Sequence, residues 1–84
     1  MRTVEIYTTR FCPYCVRAKM LLEQKNTPYT EFAIDKTPNL RKQMMNRSGG
    51  HTVPQIFIGD KHVGGCDELY TLERKGQLDK LLSL

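Results

Sequence analysis

Apolar and polar residues alternate at the start of the chain and then take up helical spacing. Between Thr3 and Tyr7, Val4 and Ile6 stand among polar residues, which predicts a first strand. Pro13 suits the first position of a helix, where the missing N–H costs nothing. Cys15, Ala18 and Leu22 recur at helical spacing, with Leu21 beside them, and are the buried positions predicted for that helix.

Asn26 and Pro28 predict the end of this helix, Asn26 as a left-handed cap. Alternation returns from Tyr29 to Ile34 and predicts a second strand, so the first third of the chain forms a βαβ unit. Thr37-Pro38 then predicts the start of a second helix that ends at residues 48–50. Its expected buried stripe is Leu40, Met44 and Met45, and Met20 is also expected in the core.

The last third of the chain carries a hairpin pattern. Gly59-Asp60 is a two-residue loop that predicts two antiparallel strands. The strands predicted on either side of it are Gln55-Ile56-Phe57-Ile58 and Lys61-His62-Val63-Gly64. A third helix is expected to begin at Asp67 and to end at Gly76. Its predicted inward residues are Leu69, Tyr70 and Leu72, and a closing segment carries Leu78, Leu81, Leu82 and Leu84.

This order of elements predicts an α/β domain over residues 1–84. Its βαβαββα pattern implies a four-stranded mixed sheet flanked by helices, which resembles the thioredoxin-like fold. In open α/β sheets, ligands bind beyond the carboxyl ends of the parallel strands. Cys12 lies in the loop after the first strand, so the site is expected there.

Composition and charge exclude some classes of function. The chain has 84 residues, 39% of them hydrophobic, and no apolar run near the roughly 20 residues of a membrane span. It has no apolar leader either, so we expect a soluble cytoplasmic protein without membrane contact. The net charge of +4 comes from scattered Lys and Arg residues, a pattern that does not favour nucleic-acid binding.

Cys12 and Cys15 are the strongest chemical signal. Residues three apart at a helix start lie on one face, near the roughly 5.5 Å Cα separation of a disulfide. At the N-cap, free N–H groups and the helix dipole should lower the pKa of the Cys12 thiol. Cys12 is therefore the predicted attacking thiolate, and the more sheltered Cys15 is the resolving thiol. Structural zinc is the alternative, but Cys66, His51 and His62 do not form a second closely spaced ligand pair.

Three segments carry a resemblance to a known family. They resemble the three signatures of dithiol glutaredoxins, closest to the bacterial glutaredoxin 3 type. The segments are Cys12-Pro13-Tyr14-Cys15, residues 52–58 (TVPQIFI) and residues 64–69 (GGCDEL). The similarity covers essentially the whole chain. It implies a cis peptide before Pro54, with the backbone of Val53 pairing with the cysteinyl part of glutathione.

The resemblance also implies the remaining glutathione contacts. Asp67 would take the γ-glutamyl ammonium next to an anion site at Gly65, and Arg41 would hold the glycyl carboxylate. Asp67 has the alternative role of a helix cap. Relatives often carry lysine where this chain has Thr9, so Arg10 is a candidate substitute. The other predicted glutathione-binding residues are Tyr14, Thr52, Val53, Pro54 and Cys66.

The function that follows is glutathione-dependent reduction of protein disulfides and glutathione mixed disulfides. Glutathione would serve as a cosubstrate, with no permanently bound cofactor or metal. The implied partners are disulfide-containing or glutathionylated proteins, ribonucleotide reductase among them, and the protein is expected to be a monomer. The alternatives are an iron-sulfur cluster module that uses Cys12 and a thioredoxin-like electron donor reduced by a flavoprotein.

Overall fold

The computed structural model describes residues 2–83 and contains four strands and four helices. The strands are β1 (Val4–Thr8), β2 (Thr30–Ala33), β3 (Gln55–Ile58) and β4 (Lys61–Gly64). The helices are α1 (Pro13–Gln24), α2 (Pro38–Ser48), α3 (Cys66–Arg74) and α4 (Leu78–Ser83). The predicted elements are therefore present in the predicted order.

One mixed sheet of strand order β2-β1-β3-β4 organises the fold. β1 runs parallel to β2 and antiparallel to β3, with Tyr7 opposite Phe32 on one side and opposite Gln55 on the other. β3 and β4 form the predicted hairpin, in which Phe57 faces His62. The thioredoxin-like α/β fold is confirmed.

Successive side chains of the central strands point to opposite faces of the sheet, so the core has two layers. On one face, Val4 and Ile6 pack with Leu22 of α1 and Leu69 of α3. On the other face, Tyr7 packs with Ile34, Met44 and Phe57 beneath α2. Helices thus cover both faces of the sheet, and the loop from β1 to α1 emerges at the carboxyl ends of the two parallel strands.

Two residues predicted for the core are exposed instead. Met20 and Met45 are 49% and 45% exposed, whereas their neighbours Leu21 and Met44 are buried. Adjacent residues point about 100° apart around a helix, so only one of each pair faces the sheet. Asn26 has the predicted left-handed conformation, with a φ of 53°. Helix α3 begins at Cys66 with Gly65 as its N-cap, one residue before the predicted start, so Asp67 lies in the first turn and is not the cap. Leu84 lies outside the described residues.

Candidate active site

Cys12 is the N-cap of α1. It has extended backbone angles, φ −133° and ψ 99°, and Pro13 follows at the first helical position. The Cys15 backbone N–H donates to Cys12 Sγ at 3.1 Å. A sulfur atom therefore fills the role that a Ser or Asp oxygen usually has at a helix start, where a negative charge is stabilised.

The two cysteines form a disulfide with a Cα–Cα separation of 5.1 Å, within the usual range. Cys12 is partly exposed at the tip of the loop, whereas Cys15 is 1% exposed beneath the first turn of the helix. An external disulfide can therefore approach Cys12 and not Cys15. A division into an attacking and a resolving thiol requires such an asymmetry, and the assignment of the two roles stays a prediction.

A cis peptide bond between Val53 and Pro54 faces the cysteine pair, as the family resemblance predicts. The Val53 carbonyl oxygen lies 4.0 Å from Cys12 Sγ. Pro54 is buried and leads directly into β3. The backbone of residue 53 consequently lies next to the sulfur that reacts, where an extended peptide would find both an N–H donor and a C=O acceptor.

A groove of about 490 Å³ runs past this segment to the start of α3. Tyr14, which is 56% exposed, forms one wall. The predicted glutathione-binding residues that line the groove are Tyr14, Thr52, Val53, Pro54, Gly65, Cys66 and Asp67. Segments that are far apart in the sequence thus form one continuous site.

The amino terminus of α3 closes the far end of the groove. Gly65 is its N-cap, and Asp67 and Glu68 lie in the first turn. Glu68 Oε1 accepts a hydrogen bond from the Gly65 N–H at 2.6 Å, which is half of a capping box because glycine has no side chain to complete it. Asp67 is exposed, so its carboxylate is available to a ligand cation.

Two predicted cationic contacts lie elsewhere. Arg41 is exposed on α2 and, within the described part of the chain, is not among the residues lining the groove. Arg10 lines a second crevice of about 360 Å³ together with Thr9 and Asp35. Its backbone N–H donates to Asp35 Oδ2 at 3.0 Å, and its guanidinium lies 5.5 Å from the Phe11 ring centroid. Contact of either arginine with a ligand stays a prediction.

Sequence reasoning missed three residues near the site. Phe11 precedes Cys12 and is 87% exposed, an unusual state for a large apolar side chain. Gln55 and His62 also line the groove, and neither is among the residues predicted to bind glutathione. His62 is exposed as well. The hairpin register pairs Phe57 with His62, and this register was the available signal that His62 and Gln55 share a face.

Reduced Cys12 is expected to be alkylated far faster than Cys66 at neutral pH. Cys66 is buried, and burial raises the pKa of its thiol, so it stays protonated and unreactive. Cys12 lies at a helix terminus with a backbone donor on its sulfur. Site-resolved mass spectrometry after iodoacetamide pulses across pH measures both rates. A Cys12 rate that rises only near pH 8.5, about the value for a free thiol, would contradict this expectation.

Comparison with known proteins places the chain in a family. The family model described as Glutaredoxin matches residues 4–63. A glutaredoxin of Pseudomonas aeruginosa is 55% identical over 83 residues, covering 99% of each chain. Glutaredoxin 3 of Escherichia coli K12 is 54% identical over 82 residues, covering 98% of this chain and 99% of its own.

A solved structure extends the likeness to the fold. The buckwheat glutaredoxin-glutathione complex superposes with a TM-score of 0.89 at 30% identity, covering 98% of this chain and 77% of that one. Among residues 2–83, no helix has the length and apolar character needed to span a membrane. From the N-capping Cys12, its buried partner Cys15 and these relatives, we conclude that the chain belongs to the glutaredoxin family of thiol-disulfide oxidoreductases.

Proposed function

We propose that this protein reduces protein disulfides and glutathione mixed disulfides with glutathione as the reductant. The observation that carries the proposal is the groove that runs from Val53, whose carbonyl oxygen lies 4.0 Å from Cys12 Sγ, to Asp67 on the amino terminus of α3. A groove of this size, next to the reactive sulfur and with a backbone edge along it, suits a short extended peptide.

The reaction begins when the Cys12 thiolate attacks one sulfur of a substrate disulfide. A bond forms between Cys12 Sγ and that sulfur, and the other sulfur leaves as a thiolate. Cys15 Sγ then attacks Cys12 Sγ, which releases the reduced substrate and closes the intramolecular disulfide. Two molecules of glutathione reduce this disulfide and leave as glutathione disulfide, so two electrons are passed in each cycle.

For a glutathione mixed disulfide, the groove supplies matching chemistry. The Val53 backbone would pair with the cysteinyl residue, and the exposed Asp67 carboxylate would take the γ-glutamyl ammonium. The free N–H groups at the start of α3 would stabilise the α-carboxylate of the γ-glutamyl residue of glutathione. The buckwheat relative, whose structure is a complex with glutathione, supports this assignment. We place the protein in the cytoplasm, where the glutathione pool is reducing.

The direct test is turnover of a glutathionylated peptide with glutathione, coupled to glutathione reductase. We expect NADPH consumption that requires both glutathione and the protein. Turnover with thioredoxin reductase and none with glutathione would overturn the proposal. Strong visible absorption of freshly purified protein would instead support an iron-sulfur cluster held by Cys12.

Asp67→Asn and Arg41→Ala are each expected to raise the apparent KM for glutathione by about tenfold. Asp67→Asn removes the negative charge from the proposed contact with the γ-glutamyl ammonium. Arg41→Ala removes the guanidinium that the family resemblance assigns to the glycyl carboxylate, although Arg41 is not among the groove-lining residues of the described chain. A charge-assisted hydrogen bond of this kind is worth roughly 1.5 kcal/mol. Asp60→Asn and Lys42→Ala are matched controls, because both residues are exposed outside the groove. Steady-state kinetics at fixed peptide concentration measure the effect. If only Asp67→Asn changes the KM, Arg41 makes no ligand contact.

Phe11→Ser is expected to weaken the reduction of protein disulfides more than that of small mixed disulfides. The ring lies beside Cys12 and offers apolar area to a large client, whereas glutathione lies in the groove. Val16→Ser is the control, because Val16 is another exposed apolar residue, 51% exposed, and lies on α1 outside the groove. Parallel assays with a disulfide-containing protein and a glutathionylated peptide measure the ratio, and equal effects on both substrates would contradict a client-contact role.

A further inference from the structure

Three polar side chains connect the β3–β4 hairpin to the loop before Pro54. His62 Nε2 lies 2.7 Å from Gln55 Oε1, and Gln55 Nε2 lies 3.5 Å from Thr52 Oγ1, at the long end of hydrogen-bond range. Because an amide oxygen only accepts, the His62 nitrogen donates in this pair. The chain of contacts runs from the outer strand of the sheet to the groove.

The Gln55 side chain is the middle member of this series of contacts. It is 7% exposed, so its amide depends on protein partners. A Cβ atom at Gly50 would lie 2.9 Å from Gln55 Nε2, which shows how tightly the loop covers the amide. On the other side, the His62 ring lies 4.9 Å from the Phe57 ring. The Gln55 side chain is therefore held between the loop and the hairpin.

We propose that His62 is a positioning residue that acts through Gln55 to hold residues 51–53 in the conformation that takes the glutathione moiety. This inference rests on the proposed function. Residues 51–53 belong to no helix or strand, so their placement depends on side-chain contacts. A segment that is already ordered loses less entropy when it pairs with a ligand, and binding is therefore tighter. His62 takes no part in the sulfur chemistry.

His62→Ala is expected to raise the KM for a glutathionylated peptide about three- to tenfold and to leave kcat within about twofold, because ligand binding is weakened and the chemical step is not. His62→Gln should restore the KM, since its amide N–H can donate to Gln55. Lys61→Ala on the same strand is the matched control and should change neither constant. An unchanged KM in His62→Ala, or failure of His62→Gln to restore it, would overturn the proposal.

A double-mutant cycle tests whether the effect passes through Gln55. Gln55→Met keeps the volume and removes both polar contacts, so it should raise the KM by a similar factor. If the linkage exists, His62→Ala in the Gln55→Met background adds little. Full additivity of the two effects would show that His62 acts by another route and would overturn the proposal.

Amide hydrogen exchange without glutathione separates this inference from the proposed function. The Thr52 and Val53 amides should exchange faster in His62→Ala than in the parent protein, whereas amides of β1 should not change. This result would support the positioning role even if the protein showed no glutathione turnover. Unchanged exchange at both amides would overturn it, whatever the kinetics show.

Discussion

Cys12→Ser should reduce every disulfide-reducing activity of this protein to background, whereas Cys15→Ser should remove only part of it. Cys12 combines partial exposure with the helix terminus, so no other described thiol can begin the exchange. In Cys15→Ser, Cys12 still takes glutathione from a mixed disulfide and passes it to free glutathione. Deglutathionylation should therefore persist.

Reduction of a protein's own disulfide should fall sharply in Cys15→Ser. Once Cys12 is joined to the client, the resolving thiol normally attacks from one helical turn away, at a Cα separation of 5.1 Å. Without Cys15, the mixed disulfide persists until external glutathione reaches it. The client should consequently stay attached to the variant as a covalent adduct.

The measurement is both activities on both variants, with non-reducing electrophoresis for the trapped adduct. Cys66→Ser tests the third thiol. Because this thiol is buried and its pKa is raised, the variant should keep both activities and trap no adduct. Any change should be confined to the KM for glutathione, since Cys66 lines the groove. The assignment of the attacking and resolving thiols would fail if Cys15→Ser lost deglutathionylation as completely as Cys12→Ser. It would fail equally if Cys12→Ser kept that activity.

The fold was predictable because each element carries a local signal. Alternation in β1, the proline at the start of α1 and the Gly59-Asp60 loop each depend on neighbouring residues only. The predictions that were wrong concern Met20 and Met45, which were expected in the core and are exposed. Each lies next to another apolar residue that is buried instead. Helical spacing alone does not show which of two adjacent apolar residues faces a sheet, because that depends on how the helix is rotated.

The site was predictable only in pieces. Local chemistry identifies Cys12 as a helix-terminal thiol, but the cis Val53–Pro54 bond came from family resemblance because most X-Pro bonds are trans. The position of Arg41 outside the groove depends on tertiary packing of α2 and left no local signal. The exposure of Phe11 is of the same kind, since it depends on how the loop before α1 is placed in the folded chain.

Gly64→Ala is expected to weaken both the fold and the groove. Gly64 has a φ of +118°, a region that residues with a side chain rarely adopt, and the resulting strain costs of order 1–3 kcal/mol. A Cβ atom there would lie 3.0 Å from both Cγ and Oε1 of Glu68. Displacing Glu68 breaks its contact with the Gly65 N–H and adds the cost of a lost cap, about 1 kcal/mol.

The summed cost predicts a drop in Tm of about 10 °C or more for a domain of this size. The apparent KM for glutathione should also rise several-fold, because Gly64, Gly65 and Glu68 all line the groove. Gly76→Ala is the matched control: its φ is +70°, and a Cβ atom there would meet no atom of residues 2–83 within 4 Å. It should lower Tm by a smaller amount and leave the KM unchanged.

Thermal unfolding followed by circular dichroism gives Tm, and the coupled glutathione assay at a temperature where both variants are folded gives the KM. If the two alanine variants lowered Tm equally and neither changed the KM, backbone strain alone would account for the result. The contact between Gly64 and Glu68 would then have no part in shaping the groove. A larger loss of stability in Gly64→Ala together with a raised KM shows instead that the missing side chain at residue 64 lets Glu68 cap α3 and keeps the end of the groove open.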